Sequence, residues 1–113
     1  MNKKILFVFR QPPIGSAKAQ EALDILLMAS TRQHSISVVF IGDGVWQLKT
    51  QQAKNFTAAY KALPLYDVTQ IYVDQLALQE RCLTQSDLTL TVTLLDNKAI
   101  AKLMQQHDVI FNF

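Results

Sequence analysis

Two kinds of hydrophobic pattern alternate along this chain. Residues 5–9, Ile5-Leu6-Phe7-Val8-Phe9, form an unbroken apolar run of branched and aromatic side chains. Such a run predicts a strand buried on both faces. Gln11-Pro12-Pro13-Ile14-Gly15 breaks it. Ser16 then stands as a helix cap, and over residues 17–29 Ala19, Ala22, Leu23, Leu26 and Leu27 recur at helical spacing, with Ile25 widening the stripe. A polar turn at residues 31–34 leads into a second apolar strand carrying Ile36, Val38, Val39, Phe40 and Ile41.

Gly42-Asp43-Gly44 ends that strand, and residues 49–54 read as a polar loop. Asn55 is placed to cap a helix over residues 56–62, which Pro64 stops, because the residue before a proline is pushed out of helical geometry. Ile71-Tyr72-Val73 is a short third strand, followed by a helix over residues 75–81. Residues 88–94 alternate strictly, with Leu88, Leu90, Val92 and Leu94 on one face and Thr89, Thr91 and Thr93 on the other. That alternation predicts a fourth strand, with one less apolar face, near a sheet edge. Asp96 opens an amphipathic helix through Ile100, Leu103 and Met104, and Val109-Ile110-Phe111-Asn112-Phe113 supplies a last strand. Strands separated by helices predict an α/β class protein: a three-layer α/β/α domain with a five-stranded, mainly parallel sheet. No linker, repeat or low-complexity segment interrupts residues 1–113, so a single domain is expected.

Composition adds one expectation. Half of the residues are hydrophobic and only 18% are charged, against about 25% in ordinary soluble domains. A small domain so poor in charge has apolar surface to cover, which points to a subunit interface and to poor behaviour in isolation. The net charge of +2 is scattered along the chain, and Lys3-Lys4 is the only adjacent basic pair. Direct nucleic-acid binding, which needs a basic face, is not expected. The apolar run before Arg10 is too short for a secretory signal, and no stretch reaches membrane-spanning length. With Cys82 as the single cysteine there is no intramolecular disulfide and no thiolate metal cluster. A reducing, cytoplasmic setting follows as the expectation.

Chemistry in such sheets gathers outside the carboxyl ends of the strands. Those places are residues 11–16, 42–46 and 74–75 and the helix start at Asp96. Pro12 and Pro13 offer no amide hydrogens, so the first loop is a poor phosphate cradle. Gly42-x-Gly44 lacks the third glycine of a dinucleotide fingerprint, and no phosphate-loop lysine motif is present, so tight turns explain these glycines. His34 and His107 sit at helix-to-strand turns, at the opposite end of the sheet, with no zinc ligand set around them. Asp43 and Asp74 are a candidate acid/base pair, set against the commoner role of aspartate in turns and caps. Trp46 reads as an anchor of the core or of an interface, with Leu48 and Tyr66 as further interface candidates. Cys82 is the sole, weak candidate nucleophile. It falls at a helix C-terminus, where the dipole disfavours a thiolate, and Arg81 works only weakly the other way. No cofactor or metal is expected, and a flavodoxin-type binding module stands as a rival class.

Several segments together resemble the TusC/DsrF subfamily of DsrE-like sulfur-relay proteins. They are Lys4-Ile5-Leu6-Phe7-Val8-Phe9, Pro13-Ile14-Gly15-Ser16-Ala17, Glu21-Ala22-Leu23-Asp24-Ile25-Leu26-Leu27-Met28-Ala29-Ser30, Phe40-Ile41-Gly42-Asp43-Gly44-Val45-Trp46-Gln47-Leu48, Leu63-Pro64-Leu65-Tyr66-Asp67 and the terminal Asp108-Val109-Ile110-Phe111-Asn112-Phe113. The resemblance implies an α/β/α fold and a place in a cytoplasmic TusBCD-like heterohexamer, beside TusB-like and TusD-like subunits. It implies a relay that takes persulfide sulfur from a TusA-like donor toward a TusE-like protein and the enzyme that thiolates the tRNA wobble uridine. In that family the sulfur-carrying cysteine belongs to the TusD/DsrE-type subunit, just after its third core strand. The matching stretch here, Tyr72-Val73-Asp74-Gln75-Leu76, has no cysteine, and Cys82 does not inherit the role. The resemblance therefore implies a non-catalytic subunit. A sulfurtransferase using Cys82, or a DsrF-like subunit of dissimilatory sulfur oxidation, are the alternatives.

Overall fold

The two unbroken apolar runs occupy the middle of the sheet, where both faces are covered. The computed structural model describes residues 3–10, 17–30, 34–49, 63–66 and 68–113, with backbone only at 17–20, 22, 23 and 66. Strands β1 (Lys4–Phe9), β2 (Ser35–Phe40), β3 (Gln70–Asp74), β4 (Thr93–Leu95) and β5 (Val109–Asn112) form a five-stranded sheet in the order β4-β3-β2-β1-β5. Every pairing is parallel. After their first residue, β1 and β2 are buried throughout.

The strand order decides which face each helix covers. Moving from β1 through β2 and β3 to β4, the chain advances in one direction, and right-handed crossovers then keep those connections on one face. The return from β4 to β5 runs the other way and needs the opposite face. The packing agrees. On the first face Ile5, Phe7 and Phe9 meet Ile36, Val38 and Phe40, under Leu26 of α1 (Ala17–Ser30) and Ala77 and Leu78 of α2 (Gln75–Glu80). On the second, Leu6, Val8 and Val39 pack against Ile100 and Leu103 of α3 (Asn97–Gln105). The Phe9 and Phe40 rings stack at 5.0 Å across neighbouring strands of the first face. Ser37, a fully buried polar residue, satisfies its hydroxyl by donating to Gln70 Oε1 at 2.7 Å.

Three local readings changed. The predicted fourth strand over residues 88–94 is shorter and later, because its first part is claimed by other partners. Thr84 and Asp87 form a capping box around the 3₁₀ turn Gln85–Asp87. Leu88 then makes an isolated antiparallel bridge with Lys49, and Thr89 N–H donates to Leu48 O at 2.7 Å. Gln85 Nε2 also takes the Val92 carbonyl at 2.7 Å, so pairing with β3 begins only at Thr93. The alternation still marks inward side chains, since Leu88 and Val92 are buried. Next, Gly42-Asp43-Gly44 does more than end β2: it opens a 3₁₀ segment, Gly42–Leu48, that folds back over the sheet. Finally, Ile25, expected to widen the buried stripe of α1, is 41% exposed. The Ser16 cap, the polar stretch after Lys49 and the helix expected over residues 56–62 with its Asn55 cap lie outside the described residues.

Candidate functional site at the carboxyl edge of the sheet

At the carboxyl edge, β2, β3 and β4 each hand over to a hydrogen-bonded turn. Ile41 N–H donates to Phe9 O at 3.0 Å, and Gly44 N–H to Ile41 O at 2.9 Å. Gly42 takes φ +51, a conformation open to glycine at little cost. Gly44 has a different constraint. A Cβ there would stand 1.9 Å from Phe9 O and 2.6 Å from Phe9 C, so only glycine lets the 3₁₀ segment lie this close to the end of β1. The segment then delivers Val45, Gln47 and Leu48 to the interior.

Asp43, on that turn, is bound by α2. Arg81 donates to its Oδ1 from Nε at 3.2 Å and from the terminal NH2 nitrogen at 2.9 Å, while its other terminal nitrogen donates to Ala77 O at 3.1 Å. Asp74 caps α2, its Oδ1 accepting from Leu76 N–H at 3.1 Å. Asp96 caps α3 in the same way, through Ala99 N–H at 2.8 Å. The proposed acid/base pair is therefore not assembled as chemistry: Asp43 serves an ion pair and Asp74 a cap. Between the two capped helix starts lies a cleft of about 300 Å³, lined by Gln75, Leu76, Gln79, Asp96 and Asn97. Leu76 is 47% exposed at this cleft. These lining groups offer amides, one carboxylate and an apolar contact, and no nucleophile, imidazole or cation.

The remaining candidates fall elsewhere. Cys82 is exposed and directly follows the α2 cap, at φ 55. Its N–H donates to Gln79 O and that of Leu83 to Leu78 O, at 3.2 and 2.9 Å. This is the Schellman arrangement, in which the residue in left-handed conformation is usually glycine. The thiol follows the negative end of α2, and the neighbouring Arg81 guanidinium is committed to Asp43 and Ala77. His34 and His107 lie at the amino edge, as the sequence places them. His34 Nδ1 accepts Lys3 N–H at 3.2 Å, and His107 Nδ1 donates to Leu103 O at 2.6 Å. Among the described residues no group of three or more His, Cys, Asp or Glu is arranged to hold a metal ion.

The interface candidates separate. Leu48 is wholly buried in the core beside Val45, so that expectation is corrected: its side chain faces inward because the 3₁₀ segment turns over the sheet. Trp46 remains half-buried, with Lys49 Nζ 5.5 Å from its ring centre, a cation–π contact. The Tyr66 side chain lies outside the described residues. Its neighbour Leu65, which the hydrophobic pattern did not single out, is 85% exposed. The Arg81–Asp43 pair also escaped sequence reading, since nothing in the spacing joins positions from separate elements.

An all-parallel α/β/α domain in this strand order, with capped helix starts and an ion pair among the described residues of its carboxyl edge, defines a class of small open-sheet domains. Within that class the chain belongs to the DsrE/DsrF-like family, whose model matches residues 3–113. It is 33% identical over 131 residues to the intracellular sulfur oxidation protein DsrF of Allochromatium vinosum, covering 98% of this chain and 96% of the relative. It is 34% identical over 116 residues to a protein TusC homolog of Vibrio vulnificus, covering 97% and 98%. Among solved structures, the ychN protein from E. coli superimposes with a TM-score of 0.82 over 100% of both chains at 16% identity. That last likeness speaks to the fold alone.

Proposed function

We propose that this chain is a non-catalytic subunit of a TusBCD-like sulfur-relay complex that supports persulfide transfer for 2-thiolation of the tRNA wobble uridine. The observation that carries the reading is the turn after β3. There Asp74 spends its carboxylate on capping α2, and the adjoining cleft holds no thiol. A thiolate is the attacking species in sulfur exchange, and a capping carboxylate at that point opposes its formation. The names of the relatives, a TusC homolog and DsrF, support the relay assignment. In this reading the partners are TusB-like and TusD-like subunits in a heterohexamer, the latter carrying the sulfur. TusA-like and TusE-like proteins are reached indirectly, and the tRNA is not touched directly. The complex works in the cytoplasm, away from membranes. Among the described residues no helix is long and apolar enough to cross a membrane.

The test is the thiolated fraction of tRNA in cells carrying Cys82→Ser at normal abundance of the protein. Thiolation should persist with the serine variant and fall when the whole chain is deleted. Collapse of thiolation with the complex still assembled would make Cys82 a sulfur carrier and overturn the reading. The near-equal identity to DsrF supports a second reading, a subunit of dissimilatory sulfur oxidation. A source organism whose deletion strain keeps its tRNA thiolated but no longer oxidises stored sulfur would decide for it.

A further inference from the structure

Strand β5 closes one edge of the described sheet, beside β1. Its sequence, Val109-Ile110-Phe111-Asn112, carries none of the lysine or proline guards that usually keep an edge strand from pairing. Ile110 and Phe111 are each 38% exposed, on opposite faces of the sheet. The direction of its backbone groups follows from the hydrogen bonds at its end. Phe113 N–H donates to Val8 O and Phe113 O accepts from Arg10 N–H, at 2.8 and 2.6 Å, so residue 113 turns both groups toward β1. Alternation along a strand then turns Phe111 and Val109 inward as well, and points the N–H and C=O of Ile110 and Asn112 out from the sheet.

We infer that this edge is completed by β5 of a second copy of the chain, antiparallel, about a two-fold axis passing at Phe111. Three features of the strand are self-complementary in that register, and the charge pairing among them singles it out from the other registers that keep both sheets facing the same way. Ile110 falls opposite Asn112 of the second copy, and both copies close their outward N–H and C=O groups as directly bonded pairs. Phe111 falls opposite its own equivalent, and Val109 opposite Phe113, so like faces meet: these are the residues that lie with Phe7 on the α1 face. Charge agrees with shape. Arg10, whose Nε donates to Asn112 Oδ1 at 3.3 Å, comes beside Asp108 of the second copy, and the axis repeats this ion pair at the other end. Phe111 also lines a groove of about 260 Å³ with Ile5, Ile25, Met28, Ala29 and His34. The pairing brings the two grooves side by side on the α1 face. This inference is independent of the sulfur-relay reading.

Sedimentation equilibrium of the full chain, together with engineered cysteines in a Cys82→Ser background, tests it. The chain is expected to be a dimer. Phe111→Cys should become disulfide-linked to itself on mild oxidation, while Ile110→Cys and Asn112→Cys should cross-link when mixed and not alone. If Phe111→Cys does not fold, the mixed pair carries the test. Asn112→Pro removes an outward N–H and should weaken dimerisation at least tenfold with the circular dichroism of the monomer retained. A chain that stays monomeric at millimolar concentration, or one whose edge cross-links only to a different protein, overturns the inference. So does Ile110→Cys linking to itself as readily as Phe111→Cys.

Discussion

Gly44→Ala should be among the most damaging single-methyl changes in this chain. The added carbon would lie 1.9 Å from Phe9 O and 3.1 Å from Arg10 N, both backbone atoms of a strand end held on two sides. To regain van der Waals separation the 3₁₀ segment must retreat by roughly 1.5 Å. That movement breaks the Ile41–Phe9 bond of 3.0 Å and the Gly44–Ile41 bond of 2.9 Å, each worth about 1 kcal/mol net. It also lifts Val45 and Leu48, both wholly buried, and full burial of such a side chain is worth about 1.5–3 kcal/mol. Losing both bonds and part of that burial gives an expected cost of about 3–5 kcal/mol, a large share of the roughly 5–15 kcal/mol that holds a domain together. Gly42→Ala supplies the control. Its φ of +51 penalises a side chain, but nothing lies within 4 Å of the new carbon. Its cost is the left-handed penalty of about 1–2 kcal/mol less about 0.5–1 kcal/mol of glycine's unfolded-state entropy. Urea unfolding of both variants measures the two costs. Failure of Gly44→Ala to fold where Gly42→Ala folds supports the reasoning. An equal or smaller cost for Gly44→Ala would refute it.

Cys82→Gly should raise stability by up to about 1 kcal/mol, because it relieves a left-handed residue at the end of α2; a melting temperature higher by a few degrees would register it, and a fall would contradict it. Asp43→Ala should cost under about 1 kcal/mol, because the Asp43 carboxylate is exposed and water screens its ion pair, whereas Arg81→Ala should cost more because the half-buried Arg81 also loses the bond to Ala77 O. A double-mutant cycle in denaturant separates the two contributions. The Thr84 backbone N–H, and then its hydroxyl, hold the Asp87 carboxyl below its ordinary value. A lowered folded-state pKa means stability that is present above the unfolded value and is lost as pH falls through the folded one. Asp87→Asn should therefore be less stable than the parent at pH 7, with the gap closing as acid protonates Asp87, and melting curves taken down through the acidic range check this.

Periodicity was enough to locate the parallel core. Residues 5–9 and the run around Val38–Val39 have apolar side chains pointing both ways, and only a strand covered on two faces can satisfy that. Asp96 was legible for a related reason: a capping aspartate acts on amides within its own turn, so its partner is local in sequence. Residues 88–94 were misjudged because alternation reports which side chains face inward and says nothing of which backbone groups bond to which strand. There Lys49 and Leu48 took the hydrogen bonds of Leu88 and Thr89. The candidate site shows the same division. That the chain lacks a thiol after its third strand is written in the residues themselves. That Asp43 is held by Arg81, that Leu48 is buried, that Gly44 touches the end of β1, and that β5 lies outermost with Ile110 facing out are matters of long-range placement. Each depends on elements far apart in the chain meeting at contact distance. Local propensity acts over a single turn and carries no information about such meetings, so only the closed tertiary structure decides them.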